Sequence, residues 1–195
     1  MSVRHQRTEN DGVYFITITN AQWLPLFQIT NSYHVVYKWF DVLVSKGHYI
    51  VGYVIMPNHI HALIAFRKTN QSINTIVANG KRFMAYDIVE LLKQQNQTTI
   101  LSRLTSLVNH TDRKRGKLHE VFEPSFDCKE CTTAKFVEQK LNYIHSNPCR
   151  YKPQLVNLPQ DYLHSSARFY ITGEQGYYPV TSYMQLLDID LTKEL

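Results

Sequence analysis

The stretch 53-YVIMPNHIHALIAF-66 contains two apolar runs split by a proline and an asparagine, with two histidines opening the second run. Each run has the length and β-branched character of a strand. The Pro-Asn step between them reads as a short turn. The pair is therefore expected to be strand, turn, strand over 49–56 and 60–66, antiparallel, with 57–59 as the turn. In a strand, alternate side chains share a face. His59 and His61 then point the same way, and Ile60 points the other way. A polar side chain inside so apolar a strand needs a reason. Two imidazoles on one face can bind one metal ion, although H-x-H alone is a weak signal.

Working outward, 13-VYFITIT-19 reads as a first strand. The segment 31-NSYHVVYKWFDVLVSKG-47 reads as a helix capped by Asn31 or Ser32 and ended by Gly47. Its expected stripe is Val35, Trp39, Val42 and Leu43. Ser72 to about Lys93 reads as a second helix, burying Ile73, Ile76, Val77, Phe83, Ile88 and Leu92. A polar break at 94–99, a short helix at 100–108 and a basic loop at 109–117 follow. Then 118-LHEVF-122 is the expected last strand. The segment 133-TAKFVEQKLNYIHSN-147 is a further helix, stopped by Pro148. The order β-α-β-β-α-β plus one helix predicts an α+β fold. It is a ferredoxin-like antiparallel sheet with helices on one face and an additional C-terminal helix.

The chain has 195 residues, 44% of them hydrophobic, and no internal repeat or domain boundary. It is read as one domain over 1–195, with a core of about 12–150 and an extension over 151–195 rich in Tyr and Pro. The formal charge of +5 fits a polyanionic partner. Three cysteines and no apolar leader at the N-terminus predict a reducing, cytoplasmic setting. No apolar run is long enough for a membrane span. Cys128 and Cys131 have no second cysteine pair to complete a zinc site.

The 133–147 helix offers partners for the histidines. With Phe136 at zero and about 100° per residue, Tyr143 falls near −20°, Asn147 near 20° and Gln139 near −60°. Val137, Leu141 and Ile144 lie at about 80–140°, as the buried stripe. Gln139, Tyr143 and Asn147 thus form a polar strip beside it. An amide oxygen can bind a hard divalent ion, and a tyrosine beside it can act as a nucleophile. A packing tyrosine is the commoner outcome on such a helix, and the chain has 13 tyrosines.

The string 53-YVIMPNHIHALI-64 resembles the HUH motif (His, bulky apolar residue, His) of single-tyrosine HUH transposases. The string 143-YIHSNPCR-150 resembles their tyrosine-helix motif. The REP-associated tyrosine transposases are the branch it resembles most. A weaker match is 161-DYLHSSARFY-170, similar to a Tyr-x-x-Ser-Ser segment of that branch. The resemblance spans roughly residues 13–170. It implies the HUH endonuclease fold and cleavage and rejoining of single-stranded DNA through a 5′-phosphotyrosine. It implies His59, His61 and Asn147 as metal ligands, with Gln139 in reserve, and Tyr143 as nucleophile. The implied cofactor is Mg²⁺ or Mn²⁺, the implied partner single-stranded or hairpin DNA. The implied assembly is a monomer or a homodimer. Free tyrosine titrates near pH ~10, so Tyr143 needs activation by a metal or a base.

Candidate phosphate contacts are Arg4, Arg7, Lys81, Arg82, Arg113, Lys114, Arg115, Lys117, Arg150 and Lys152. Arg150 and Lys152 flank the end of the tyrosine helix. The tail aromatics Tyr162, Phe169, Tyr170, Tyr177 and Tyr178 either stack on bases or pack on the sheet. Three features depart from the family pattern: the long polar stretch 94–117, His164 in place of a common aromatic, and the tail after 175. Two rival readings stand beside the transposase. One is a domesticated, non-catalytic protein that binds hairpin DNA. The other is a small nucleotide hydrolase, which would need a third histidine where Leu63 stands.

Overall fold

The structure is a computed structural model and describes residues 11–194. Arg4 and Arg7 lie outside the described residues. In chain order the elements are β1 (Gly12–Thr19), α1 (Leu26–Ile29), α2 (Tyr33–Ser45), β2 (Tyr49–Ile55), β3 (His59–Phe66), α3 (Ile73–Gln94), α4 (Thr98–Ser106), α5 (His110–Lys114), β4 (Asp127–Glu130), α6 (Ala134–Arg150) and α7 (Ala167–Thr172). The four strands form one antiparallel sheet in the order β2-β3-β1-β4. That is the split βαβ order expected of the ferredoxin-like arrangement.

Strand alternation assigns the two faces. Tyr14, Ile16 and Ile18 of β1 and Ile60, Ala62, Ile64 and Phe66 of β3 point to the side covered by α2 and α3. Phe15 of β1 and Leu63 and Ala65 of β3 point to the other side, against Val137, Leu141 and Ile144 of α6. With both faces covered, β3 is buried along its whole length, which is why its sequence is a near-continuous apolar run. Two glycines allow the helices to come close. A Cβ on Gly52 would lie 2.4 Å from Leu141 of α6, and one on Gly80 of α3 would lie 2.3 Å from the Trp39 indole of α2.

Several sequence expectations are corrected. Val42 is 49% exposed, because α2 is turned so that Val36, Phe40 and Leu43 meet the sheet. Phe83 is 60% exposed, lying one residue off the row made by Val77, Gly80, Met84 and Ile88. The 118–122 segment is not a strand: it touches the sheet by one bridge, Phe122 to Asn20. The fourth strand is the polar 127-DCKE-130, which pairs only with β1. An edge strand with one neighbour does not need an apolar sequence. The 109–117 loop contains the short helix α5, whose first turn is capped by the Asn109 side chain accepting from Asp112 N–H. Pro148 does not stop α6, which runs on to Arg150. In the last turn a proline removes a single helical bond, and its ring is buried.

The tail runs along the outer edge of β2. Ile55 N–H donates to His164 O at 2.9 Å, Ser166 N–H to Tyr53 O at 3.0 Å and Thr181 N–H to Ile50 O at 2.9 Å. The Tyr162 and Tyr170 hydroxyls donate to Ile55 O and Val51 O. The exposed rim of the sheet is thereby capped against pairing with another chain. Among the described residues, no helix is long and apolar enough to cross a membrane.

Candidate metal and nucleic-acid site

The register of β1 with β3 sets the site. Thr17 faces His61 and Thr19 faces His59 across the strand pair. Both imidazoles lie on the α6 side, with ring centroids 4.7 Å apart. Phe15 stacks on His61 at 5.4 Å and 22°. Each ring is held by one nitrogen. His61 Nδ1 is 2.9 Å from Thr17 Oγ1, and His59 Nδ1 donates to Asn58 Oδ1 at 2.7 Å. With Nδ1 engaged this way, Nε2 is the nitrogen of each ring that can offer a lone pair to a metal. Asn58 is itself fixed, since its carbonyl accepts from Asn20 N–H at 2.9 Å.

Helix α6 brings the other half. Thr133 caps its start by accepting from Phe136 N–H. The Val137, Leu141 and Ile144 stripe seats it on the sheet. Its last turns are pinned by His145, whose Nε2 is 2.8 Å from Ser166 Oγ. Ser166 Oγ also accepts from Tyr53 N–H on β2. With the helix so rotated, the Tyr143 ring stands 5.3 Å from His61 and 6.1 Å from Phe15, edge to face. Tyr143 is 46% exposed, so the residue can be approached from solvent. Asn147 donates its amide N–H to Tyr143 O at 2.8 Å, and its side chain hydrogen-bonds His59.

Burial holds both imidazoles in the neutral form. Burial pushes the His59 imidazole down to about 4, with the Asn147 hydrogen bond opposing the shift. Burial pushes His61 to about 3, and the neighbouring His59 and Lys140 add to the shift. Both rings are therefore neutral at neutral pH, the form that binds a metal. Two neutral imidazoles and an amide oxygen fit a divalent ion that keeps open positions for substrate. Among the described residues there is no group of three His, Cys, Asp or Glu side chains that could hold a metal. Asn147, beside His59, is the amide that would complete such a set with the two imidazoles.

The structure brings together His59, His61, Tyr143 and Asn147 within one chain. Gln139 is exposed one turn earlier on α6. Arg150 and Lys152 are exposed just past this end of α6. Arg82 and Arg115 lie elsewhere, lining a groove of about 730 Å³ between α3 and the 115–126 segment. Lys81 is tied down there, donating to Glu123 O at 2.7 Å. The Arg113 guanidinium is occupied at the C-terminal end of α4, donating to Thr105 O at 3.1 Å. Lys114 is exposed on α5. Tyr162, Tyr170 and Tyr178 are packing residues, bonded to β2 carbonyls or to Asp41. His164 stacks on Tyr33 at 3.8 Å and meets the Tyr37 hydroxyl at 2.9 Å, taking the structural place of an aromatic ring.

Four residues of the site were not singled out by sequence reading. Phe15 and Thr17 are signalled only by register, which needs the β1–β3 pairing. Lys140 lies over the rings of Phe15 at 4.4 Å, Phe136 at 5.3 Å and Tyr143 at 5.8 Å, one turn before the tyrosine. Its i−3 spacing from Tyr143 is the signal in the sequence that could find it. Trp23 meets His59 edge to face at 5.6 Å. Gln22 and Trp23 have φ of 52° and 57°, a left-handed conformation costing roughly 1–2 kcal/mol per residue.

A scan against protein-family profiles and a search of curated proteins found no match. Among solved structures, the chain is similar to a REP-associated tyrosine transposase bound to a REP hairpin. The TM-score is 0.60 and the identity 15%, over 99% of this chain and 94% of that one. A second similar structure is a protein of Deinococcus radiodurans assigned as a transposase. It has a TM-score of 0.42 and 14% identity, over 75% of this chain and 97% of that one. The fold of this chain is thus similar to that of this transposase structure: an antiparallel sheet with α2 and α3 on one face and α6 on the other.

Proposed function

We propose that the protein is a metal-dependent transposase-type endonuclease that cleaves and rejoins single-stranded DNA through a 5′-phosphotyrosine. The observation that carries this reading is the approach of Tyr143 to His61 and of Asn147 to His59, across the α6–β3 packing of a single chain. His59, His61 and Asn147 would hold Mg²⁺ or Mn²⁺. When bound, such an ion supplies Lewis-acid polarisation of the scissile phosphate. The Tyr143 oxygen attacks phosphorus, the bond to the 3′ oxygen breaks, and that oxygen leaves as a 3′-hydroxyl with a proton. The phenolic proton is released to solvent. The phosphotyrosine diester keeps the energy of the broken linkage. A second 3′-hydroxyl then attacks it, re-forms a phosphodiester and frees Tyr143. Lys140 adds a cation beside the nucleophile, where negative charge develops.

Hairpin recognition belongs to the same proposal. It draws support from the hairpin bound by the structural neighbour and from the groove lined by Arg82 and Arg115. Shape and phosphate contacts would dominate there.

The test is incubation of labelled single-stranded DNA from the gene's flanks with protein and Mn²⁺, followed by denaturing electrophoresis. A covalent protein–DNA band that needs both metal and Tyr143 is expected. Absence of any band on all such strands at high protein concentration would leave the non-catalytic hairpin binder as the better reading.

A further inference from the structure

The segment between β1 and α1 contains an arrangement that folding alone does not call for. Gln22 and Trp23 are successive non-glycine residues at positive φ. This left-handed turn is held from every side. Ala21 N–H donates to Val121 O at 2.8 Å and Gln22 N–H to Glu123 Oε1 at 2.8 Å. Arg103 Nε donates to Gln22 Oε1 at 2.7 Å, and Trp23 N–H closes the turn on Asn20 O at 3.0 Å. Asn20 in turn is bonded to Asn58, the residue that holds His59. What this scaffold presents is a tryptophan, 60% exposed, with its ring 5.6 Å from His59. Burial is the usual reason for a tryptophan, and here it does not apply. Backbone strain held by surrounding structure clusters at functional sites.

We propose that Trp23 is the platform on which a base of the bound strand stacks, next to the scissile phosphate on the His59 side of the site. This rests on the single-stranded DNA reading above and adds a substrate-contacting residue to it. Aromatic side chains beside a cationic groove bind unpaired nucleic acid with little sequence preference, because every base offers a π-face. Trp23 meets the His59 member of the pair, whereas Lys140 is next to His61 and Tyr143. A strand crossing the site would meet the indole at one end and the ammonium at the other.

The test uses intrinsic fluorescence, since the chain has two tryptophans and Trp39 is buried between α2 and α3. The full-length Tyr143→Phe protein, which cannot be cleaving, is titrated with fluorescein-labelled oligothymidylate for anisotropy. An unlabelled oligothymidylate is used in parallel for tryptophan emission. Emission is expected to be quenched over the range in which anisotropy rises. Trp23→Phe should lose the quench and keep most of the affinity. Trp23→Gly should bind about 5- to 150-fold more weakly. Glycine adopts this φ without strain, so that variant should fold at least as well, as its thermal midpoint will report. Unchanged emission while anisotropy rises would overturn the proposal, as would parental affinity in Trp23→Gly. No rise in anisotropy would overturn it as well. The adduct assay on the wild-type chain reports separately on the nuclease reading, so an adduct without a quench removes Trp23 alone.

Discussion

The two faces of the sheet are built from the same strands and do opposite work. On the α2–α3 face the strands contribute Tyr14, Ile16, Ile18, Ile60, Ala62, Ile64 and Phe66, all buried and apolar. On the α6 face, β1 and β3 contribute Phe15 and Leu63 and also Thr17, His59 and His61. The first face is a layer of ordinary close packing. The second is packed only over the middle of the sheet and becomes polar at the β1 C-terminal end, where α6 presents Tyr143 and Asn147. One face makes the fold stable enough to carry the other's buried imidazoles. The site is half buried because it occupies the margin of a core.

The sharpest division between the faces is chemical. Tyr143→Phe is expected to lower covalent DNA adduct by at least about a thousandfold, in line with the loss of a nucleophile elsewhere. The thermal midpoint should stay unchanged, because Tyr143 is nearly half exposed. Adduct in that variant, read on the same gel, would place the nucleophile elsewhere. A smaller effect is expected at Thr17, which holds the His61 ring. Thr17→Val should weaken Mn²⁺ affinity about 10- to 100-fold, as loss of a ligand's supporting bond commonly does. Calorimetric titration, or the metal-induced rise in thermal midpoint, measures it.

The two close-packing glycines compare the faces directly. Gly52→Ala and Gly80→Ala each force a methyl group against a neighbour, at about 1–3 kcal/mol apiece. Gly52→Ala displaces α6 and with it Tyr143, so adduct per folded molecule should fall. Gly80→Ala displaces α2 from α3 and should leave it unchanged. Equal losses of activity in the two variants would show that the faces are coupled. The smallest effect concerns His48, far from the site. It accepts from Arg67 N–H, and burial pushes its imidazole down to about 4. A base whose folded value lies below its unfolded value of about 6.5 binds fewer protons folded than unfolded between the two. Its contribution is present above about pH 6.5 and is lost as pH falls toward about 4. Denaturant melts across that window should show a shallower acid loss in His48→Met.

The α6 residues show how far sequence carries a site. A turn of the helical wheel was enough to put Tyr143 and Asn147 on one strip, because helical geometry is local. The same wheel left Gln139 on that strip, and only the docking of α6 separates it from Asn147 at His59. The 118–122 run and 127-DCKE-130 show the converse. Apolar content marked the wrong segment as a strand, since an edge strand is defined by its one partner and not by its own composition. The 113–117 cations were the densest run, yet Arg113 serves the end of α4. Of the tail aromatics, Tyr162 and Tyr170 cap β2, Tyr178 bonds Asp41 of α2 and Tyr177 stays exposed, while another exposed aromatic, Trp23, stands before α1.

By itself, the sequence determined what depends on near neighbours: the order of elements, the alternation that puts His59 and His61 on one face, and the helical strip of Tyr143. Tertiary structure alone decided what depends on distant pairings. The β1–β3 register placed Thr17 and Phe15 on His61, and the Gly52–Leu141 approach set the depth of α6. The Asn20–Asn58 bond aimed a left-handed turn at His59. Periodicity is written into the chain, whereas register and docking are set by which surfaces bury most completely against one another.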